Sequence, residues 1–142
     1  MDLRDPDAIA KMRAGFDAQG AMKTMGATVQ SVAPGRVILA LPFSAALTQQ
    51  HGIIHAGVIT TVLDSACGFA AFTLMEPDSE VLTVEFKSSF LAPARGQSFR
   101  FEGEVIKSGR TLTFTQGTAF GLDNGTETAI STMTATMMSV RN

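Results

Sequence analysis

One carboxylate stands out for its setting. Asp64 lies inside residues 56–75, where Val58, Ile59, Val62, Leu63, Ala66, Phe69, Ala70, Ala71, Phe72, Leu74 and Met75 put apolar side chains on nearly every face of a helix. A charge there costs several kcal/mol if it stays unpaired. No Lys or Arg lies within one helical turn of it. Burial favours the protonated form, so its pKa should rise, which suits a general base or a nucleophile. Thr60 and Thr61, at i−4 and i−3, are expected to share its face and hydrogen-bond it. The competing reading is a structural aspartate held by hydroxyls.

The run Gln49-Gln50-His51-Gly52-Ile53-Ile54-His55-Ala56-Gly57 leads straight into that helix. Backbone N–H groups at a helix start are unsatisfied and carry positive partial charge. Small residues there, Ala56 and Gly57, let a ligand approach the backbone, so the segment can hold a carbonyl and stabilise an oxyanion. One such donor is worth about 3 kcal/mol of barrier. The plainer alternative is a loop shaped only for its turn. His51 and His55 are four residues apart, but they precede the helix and have no Glu or Cys nearby to complete a ligand set. No metal is expected. Cys67, the single cysteine, reads as a buried, inert thiol.

These residues need a scaffold. The 142 residues make one domain of ordinary size, with 45% hydrophobic and 17% charged residues and a net charge of −2. That balance offers no basic footprint for nucleic acid or an anionic membrane. The acidic start lacks a secretory pattern, and one cysteine allows no internal disulfide, so the expected location is cytoplasmic. Residues 5–19 read as an N-terminal helix, capped by Asp5 and with Pro6 in its first turn. Gly20 and Gly26 bracket a connection. Two strands follow within residues 27–42, joined at Pro34-Gly35, and residues 44–49 form a short helix or loop. The apolar helix is long enough to approach a membrane span, but Asp64, Thr60, Thr61 and Ser65 near its middle argue for burial against a sheet.

Beyond Pro77 the pattern is β to the end: residues 81–91, 99–106, 112–122 and 127–140. Pro93-Ala94-Arg95-Gly96 marks one turn, and Asp123-Asn124-Gly125 is a hairpin signal. Short turns imply antiparallel pairing. No linker divides the chain, so residues 1–142 are read as one α+β domain, with residues 1–20 an N-terminal helix and 56–76 a central helix. A sheet wrapped around one helix is a hotdog fold, and apolar residues on the helix's far side predict a partner subunit. Asp64 lies about 12 Å beyond Ala56 along the helix, too far for both to act on one carbonyl carbon. Asp64 of one subunit is therefore expected to work with the helix start of another.

The ordered set His55-Ala56-Gly57, Val62-Leu63-Asp64-Ser65-Ala66, Thr83-Val84-Glu85-Phe86-Lys87 and Phe90-Leu91-Ala92-Pro93 resembles the PaaI-type hotdog thioesterases, named for phenylacetic acid degradation. The resemblance implies hydrolysis of acyl-coenzyme A thioesters, with coenzyme A entering only as part of the substrate and no further cofactor. It assigns Asp64 as nucleophile or general base and the Ala56 N–H, with Gly57 beside it, as the group polarising the carbonyl. Gln49 assists the carbonyl, Thr83 positions water, and His55 belongs to the same motif. The family often carries Gly where Ala56 stands. Some relatives carry Thr four positions after the acid, where this chain has Gly68. Active sites at a dimer interface are implied, with at least a homodimer and, as a dimer of dimers, a homotetramer. Lys107, Ser108, Gly109 and Arg110 form a polar turn suited to the nucleotide end of coenzyme A, with Arg110 on phosphate. Phe69, Phe72, Met75 and Phe90 are candidates for the acyl pocket. Two other readings remain: a noncatalytic acyl-CoA-binding or sensing module, and a hydratase or dehydratase using His55.

Overall fold

In the computed structural model, residues 1–141 are described. The elements run α1 (Ala8–Ala18), α2 (Gly20–Met25), β1 (Thr28–Ala33), β2 (Arg36–Pro42), a 3₁₀ turn (Ala45–Leu47), α3 (Ala56–Phe72), β3 (Ser79–Phe90), β4 (Ser98–Ser108), β5 (Leu112–Asp123) and β6 (Thr126–Arg141). The strands form one antiparallel sheet in the order β1-β2-β4-β5-β6-β3, with α3 packed against one face.

Alternation builds that face. Val37, Leu39 and Leu41 on β2, Phe99, Phe101 and Val105 on β4, and Met133, Ala135 and Met137 on β6 point inward and are buried. Ile59, Val62, Leu63, Ala66, Cys67 and Ala70 of α3 meet them, each without exposed surface. Burying a side chain the size of Ile59 or Leu63 contributes roughly 1.5–3 kcal/mol. Helix α1 closes the other side of α3 through Phe16, whose ring centroid lies 6.0 Å from that of Phe69.

Two glycines set how deeply α3 sits. A Cβ on Gly103 would fall 2.4 Å from the Ala66 carbonyl carbon and 2.6 Å from the Cys67 nitrogen. A Cβ on Gly117 would fall 2.8 Å from both Cys67 Sγ and Leu63 Cδ1. At Gly103 the helix backbone thus rests on bare strand backbone, and at Gly117 two helix side chains do.

Several sequence expectations need adjustment. Residues 20–25 are helical, not a connection. Asp5 does not cap α1; two residues before the N-cap Asp7, its carboxylate accepts from the Asp7 N–H at 2.9 Å and pairs with Lys11 Nζ at 2.6 Å. Helix α3 stops at Phe72, because Leu74 and Met75 donate to Ala71 and Phe72 in tighter i−3 bonds. The segment Pro93-Ala94-Arg95-Gly96 does not join neighbouring strands. It carries the chain from the β3 edge to the sheet centre, with the Ala94 carbonyl accepting from Ile54 N–H at 3.3 Å. The hairpin at Asn124-Gly125 forms as read, with φ of 49° and 80°.

β3 is an edge strand, and Leu82, Val84, Phe86 and Phe90 along it are exposed. Its pairing with β6 shifts by one residue between Thr83 and Glu85, a bulge at Val84.

Replacing Gly103 with Ala should force α3 off the sheet. We expect a loss of about 3 kcal/mol in urea unfolding; a change below about 0.5 kcal/mol would show that the backbones are not in contact there.

Candidate active site

Asp64 sits half-buried on the side of α3 that faces β3. Its Oδ1 accepts a hydrogen bond from Thr83 Oγ1 at 2.9 Å. Thr83 lies opposite Met137 in the β3–β6 register, just before the bulge. Burial holds the Asp64 carboxyl above its ordinary value of 3.8, and the Thr83 hydroxyl only partly offsets this. Thr60 and Thr61 do not reach Asp64. Their hydroxyls donate back to the Ala56 and Gly57 carbonyls at 2.9 and 2.7 Å, the i−4 bond that helical threonines commonly make.

The helix start is arranged differently. His55 is the N-cap, and its Nδ1 accepts from the Gly57 N–H at 2.8 Å. Val58 and Ile59 donate to the His55 carbonyl. Among the described residues, the Ala56 N–H is left without an acceptor, at an exposed position. Gln49 is held by its own loop: its backbone N–H donates to the Ile53 carbonyl at 2.8 Å, and its side-chain Oε1 accepts from the His51 N–H. That leaves the Gln49 amide NH₂ as the group available to a ligand.

Gln49, Ile53, His55, Ala56 and Phe90 line one cleft of about 580 Å³. Asp64 and Thr83 line another, of about 100 Å³, with Gln19, Ser65, Gly68, Phe69 and Val81. The two share no residue. The structure therefore gathers the carbonyl-polarising candidates in one place and the acid with Thr83 in another. Gly57 is adjacent to the first but spends its N–H on His55. Ser108, Gly109 and Arg110 line neither; they form the β4–β5 turn, where the Gly109 N–H donates to the Leu112 carbonyl. Phe69 lies beside Asp64, whereas Phe72 and Met75 line neither cleft.

Cys67 is fully buried, and burial pushes its thiol up to about 12, so it is no nucleophile. Among the described residues no cluster of three or more His, Cys, Asp or Glu gathers to hold a metal, and no helix is long and apolar enough to cross a membrane. The sequence reading missed Gln19 and Ser65. The Ser65 hydroxyl donates to Gln19 Oε1 at 2.9 Å, across 46 positions, and no local pattern signals such a contact.

The thioesterase superfamily pattern matches residues 51–128. This chain belongs to the thioesterase superfamily. A thioesterase family protein from Silicibacter pomeroyi is 53% identical, superposes with a TM-score of 0.94, and is matched over 95% of this chain and 99% of its own. The PaaI protein of the E. coli phenylacetic acid degradation operon superposes with a TM-score of 0.85 over 98% of this chain and 96% of its own; at 14% identity the likeness is one of fold, and the fold is the hotdog. Human acyl-coenzyme A thioesterase 13 is 29% identical over 89 residues, 62% of this chain and 63% of that enzyme. The superfamily chain thus spans less than two thirds of that relative's length.

The acid's burial has a thermodynamic sign. A carboxyl whose folded pKa exceeds its unfolded value costs stability as pH rises from the unfolded value through the folded one, and the cost is complete above that. Asp64→Asn should therefore melt higher than the parent near pH 7, with the gap closing below about pH 3.5. Thermal unfolding at both pH values checks this. A variant less stable than the parent at neutral pH would contradict it.

Proposed function

We propose that the protein hydrolyses acyl-coenzyme A thioesters to the free carboxylic acid and coenzyme A, at a site shared by two copies of the chain. The observation that carries this reading is the separation of the two halves. The free Ala56 N–H and the Gln49 amide lie in one cleft, and Asp64 with Thr83 in another. Eight residues of helix, about 12 Å, divide them. Neither half is sufficient for hydrolysis. Two chains paired through the exposed β3 edge supply both. That edge is twelve residues long and apolar at Leu82, Val84, Phe86 and Phe90, and left unpaired it would template aggregation.

In this reading the thioester carbonyl oxygen accepts from the Ala56 N–H and the Gln49 NH₂ of one subunit. Asp64 of the other, its pKa raised by burial, takes a proton from water as it attacks the carbonyl carbon. Phe90, in the Ala56 cleft, contacts the acyl group. The Lys107–Arg110 turn meets the nucleotide, with Ser108 and Gly109 beside Arg110. The reaction so written needs no cofactor beyond the coenzyme A of the substrate. Dimers pairing into tetramers and a cytoplasmic location belong to the same proposal. Membership of the superfamily and the likeness to human acyl-coenzyme A thioesterase 13 support the chemistry.

Thiol release from a panel of acyl-CoAs tests the activity, and Asp64→Asn should lower kcat by about 10²–10⁴. The shared site is tested by complementation. Ala56→Pro removes the one N–H at the first helical position, where proline is tolerated, and His55 already has the extended backbone (ψ 136°) that a following proline requires. Asp64→Asn and Ala56→Pro should each be nearly inactive. Unfolded and refolded together in equal amounts, they should recover about a quarter of parental activity through mixed dimers. No recovery, with mixed dimers demonstrated, would refute the shared site.

A further inference from the structure

We propose that Gln19 is a water-positioning residue, holding the hydrolytic water against Asp64; this rests on the hydrolase reading above. Gln19 forms the joint between α1 and α2, ending one helix and capping the next with extended backbone (φ −80°, ψ 106°). Its side chain is turned onto α3, where Oε1 accepts from the Ser65 hydroxyl at 2.9 Å. A carboxamide with its oxygen so occupied presents its two N–H donors elsewhere. Gln19 shares with Asp64 the small pocket of about 100 Å³, which has room for a few water molecules.

The other walls leave Gln19 a specific task. Asp64 Oδ1 is taken by Thr83, leaving Oδ2 as the free acceptor. Gly68, one turn beyond Asp64, contributes no side chain, and a Cβ there would meet nothing nearer than Met137 at 3.9 Å. A bound water needs two to four polar partners. Here Asp64 Oδ2 accepts one of its protons, and the Gln19 Nε2 donates to one lone pair. The remaining lone pair is thereby aimed at the carbonyl carbon.

The step balances. Asp64 takes a proton from the water as the O–C bond forms, and the C=O π pair moves onto the oxygen held by Ala56. When the tetrahedral adduct collapses, the C–S bond breaks. The proton on Asp64 passes to the departing sulfur, giving acid and thiol and restoring the carboxylate.

Two variants and a crystal structure test this. Gln19→Leu keeps the bulk and removes the donor. It should lower kcat about 10- to 100-fold, with KM within about twofold and melting temperature little changed. Gln19→Glu keeps the Ser65 acceptor and adds a like charge beside Asp64, so the acid limb of its kcat–pH profile should move to higher pH. A high-resolution structure of the parent should show a water bridging Gln19 Nε2 and Asp64 Oδ2 that is missing from Gln19→Leu. Unchanged kcat in Gln19→Leu, an unmoved acid limb in Gln19→Glu, or a parental pocket without that water each overturns the role. If the parent releases no thiol from any acyl-CoA although the water is present, the hydrolase reading fails, and the placement of water by Gln19 stands on the crystallographic result.

Discussion

The close approach of α3 to the sheet at Gly103 and Gly117 governs the geometry of everything else. With no Cβ at either position, the helix backbone settles onto β4 at Gly103 and the Cys67 and Leu63 side chains settle onto β5 at Gly117, and these contacts fix its height above the sheet. That height decides whether Asp64 reaches Thr83. A spacing wider by one methyl group would lengthen a 2.9 Å hydrogen bond beyond use and let water flood the acid. The raised pKa of Asp64 and its bond to Thr83 are thus both products of packing.

The same packing explains why a costly group is tolerated. The half-buried carboxylate is disfavoured in its charged form, and one hydroxyl offsets only part of that. The surrounding apolar contacts of Ile59, Val62, Leu63, Ala66 and Ala70 carry the stability that the acid forgoes. Stability and chemistry therefore occupy different faces of one helix: apolar residues hold α3 down, while Asp64, Ser65 and the open N-terminus are turned toward clefts.

Much of this was legible in the sequence because it is local. The all-round apolar run of α3, the isolated Asp64, the small residues at the helix start and the Asn124-Gly125 hairpin each have a short-range physical signature. The resemblance pointed to Thr83 as a residue that positions water; the structure shows its hydroxyl donating to the acid itself. What escaped is non-local or competitive. Thr60 and Thr61 had the right spacing for Asp64, but nearer carbonyls one turn back won their hydroxyls. The pairing of β3 with β6 instead of β4 depends on how the sheet closes around α3, which strand patterns do not encode. Gln19, at the joint of α1 and α2, meets Ser65 on α3 across 46 positions, a contact with no sequence period at all.

The bulge at Val84 has a consequence for fidelity. Until a second chain pairs with it, an edge strand has nothing on its outer side to correct a slipped alignment, and a displacement by one position would swap the two faces of β3. The hydroxyl of Thr83 would then point to solvent, and an apolar chain would confront the acid. An extra residue inserted immediately after Thr83 interrupts the ladder at one place only, so the strand can zip correctly in a single frame. The irregularity works as an alignment key, placed one residue from the group whose orientation it protects.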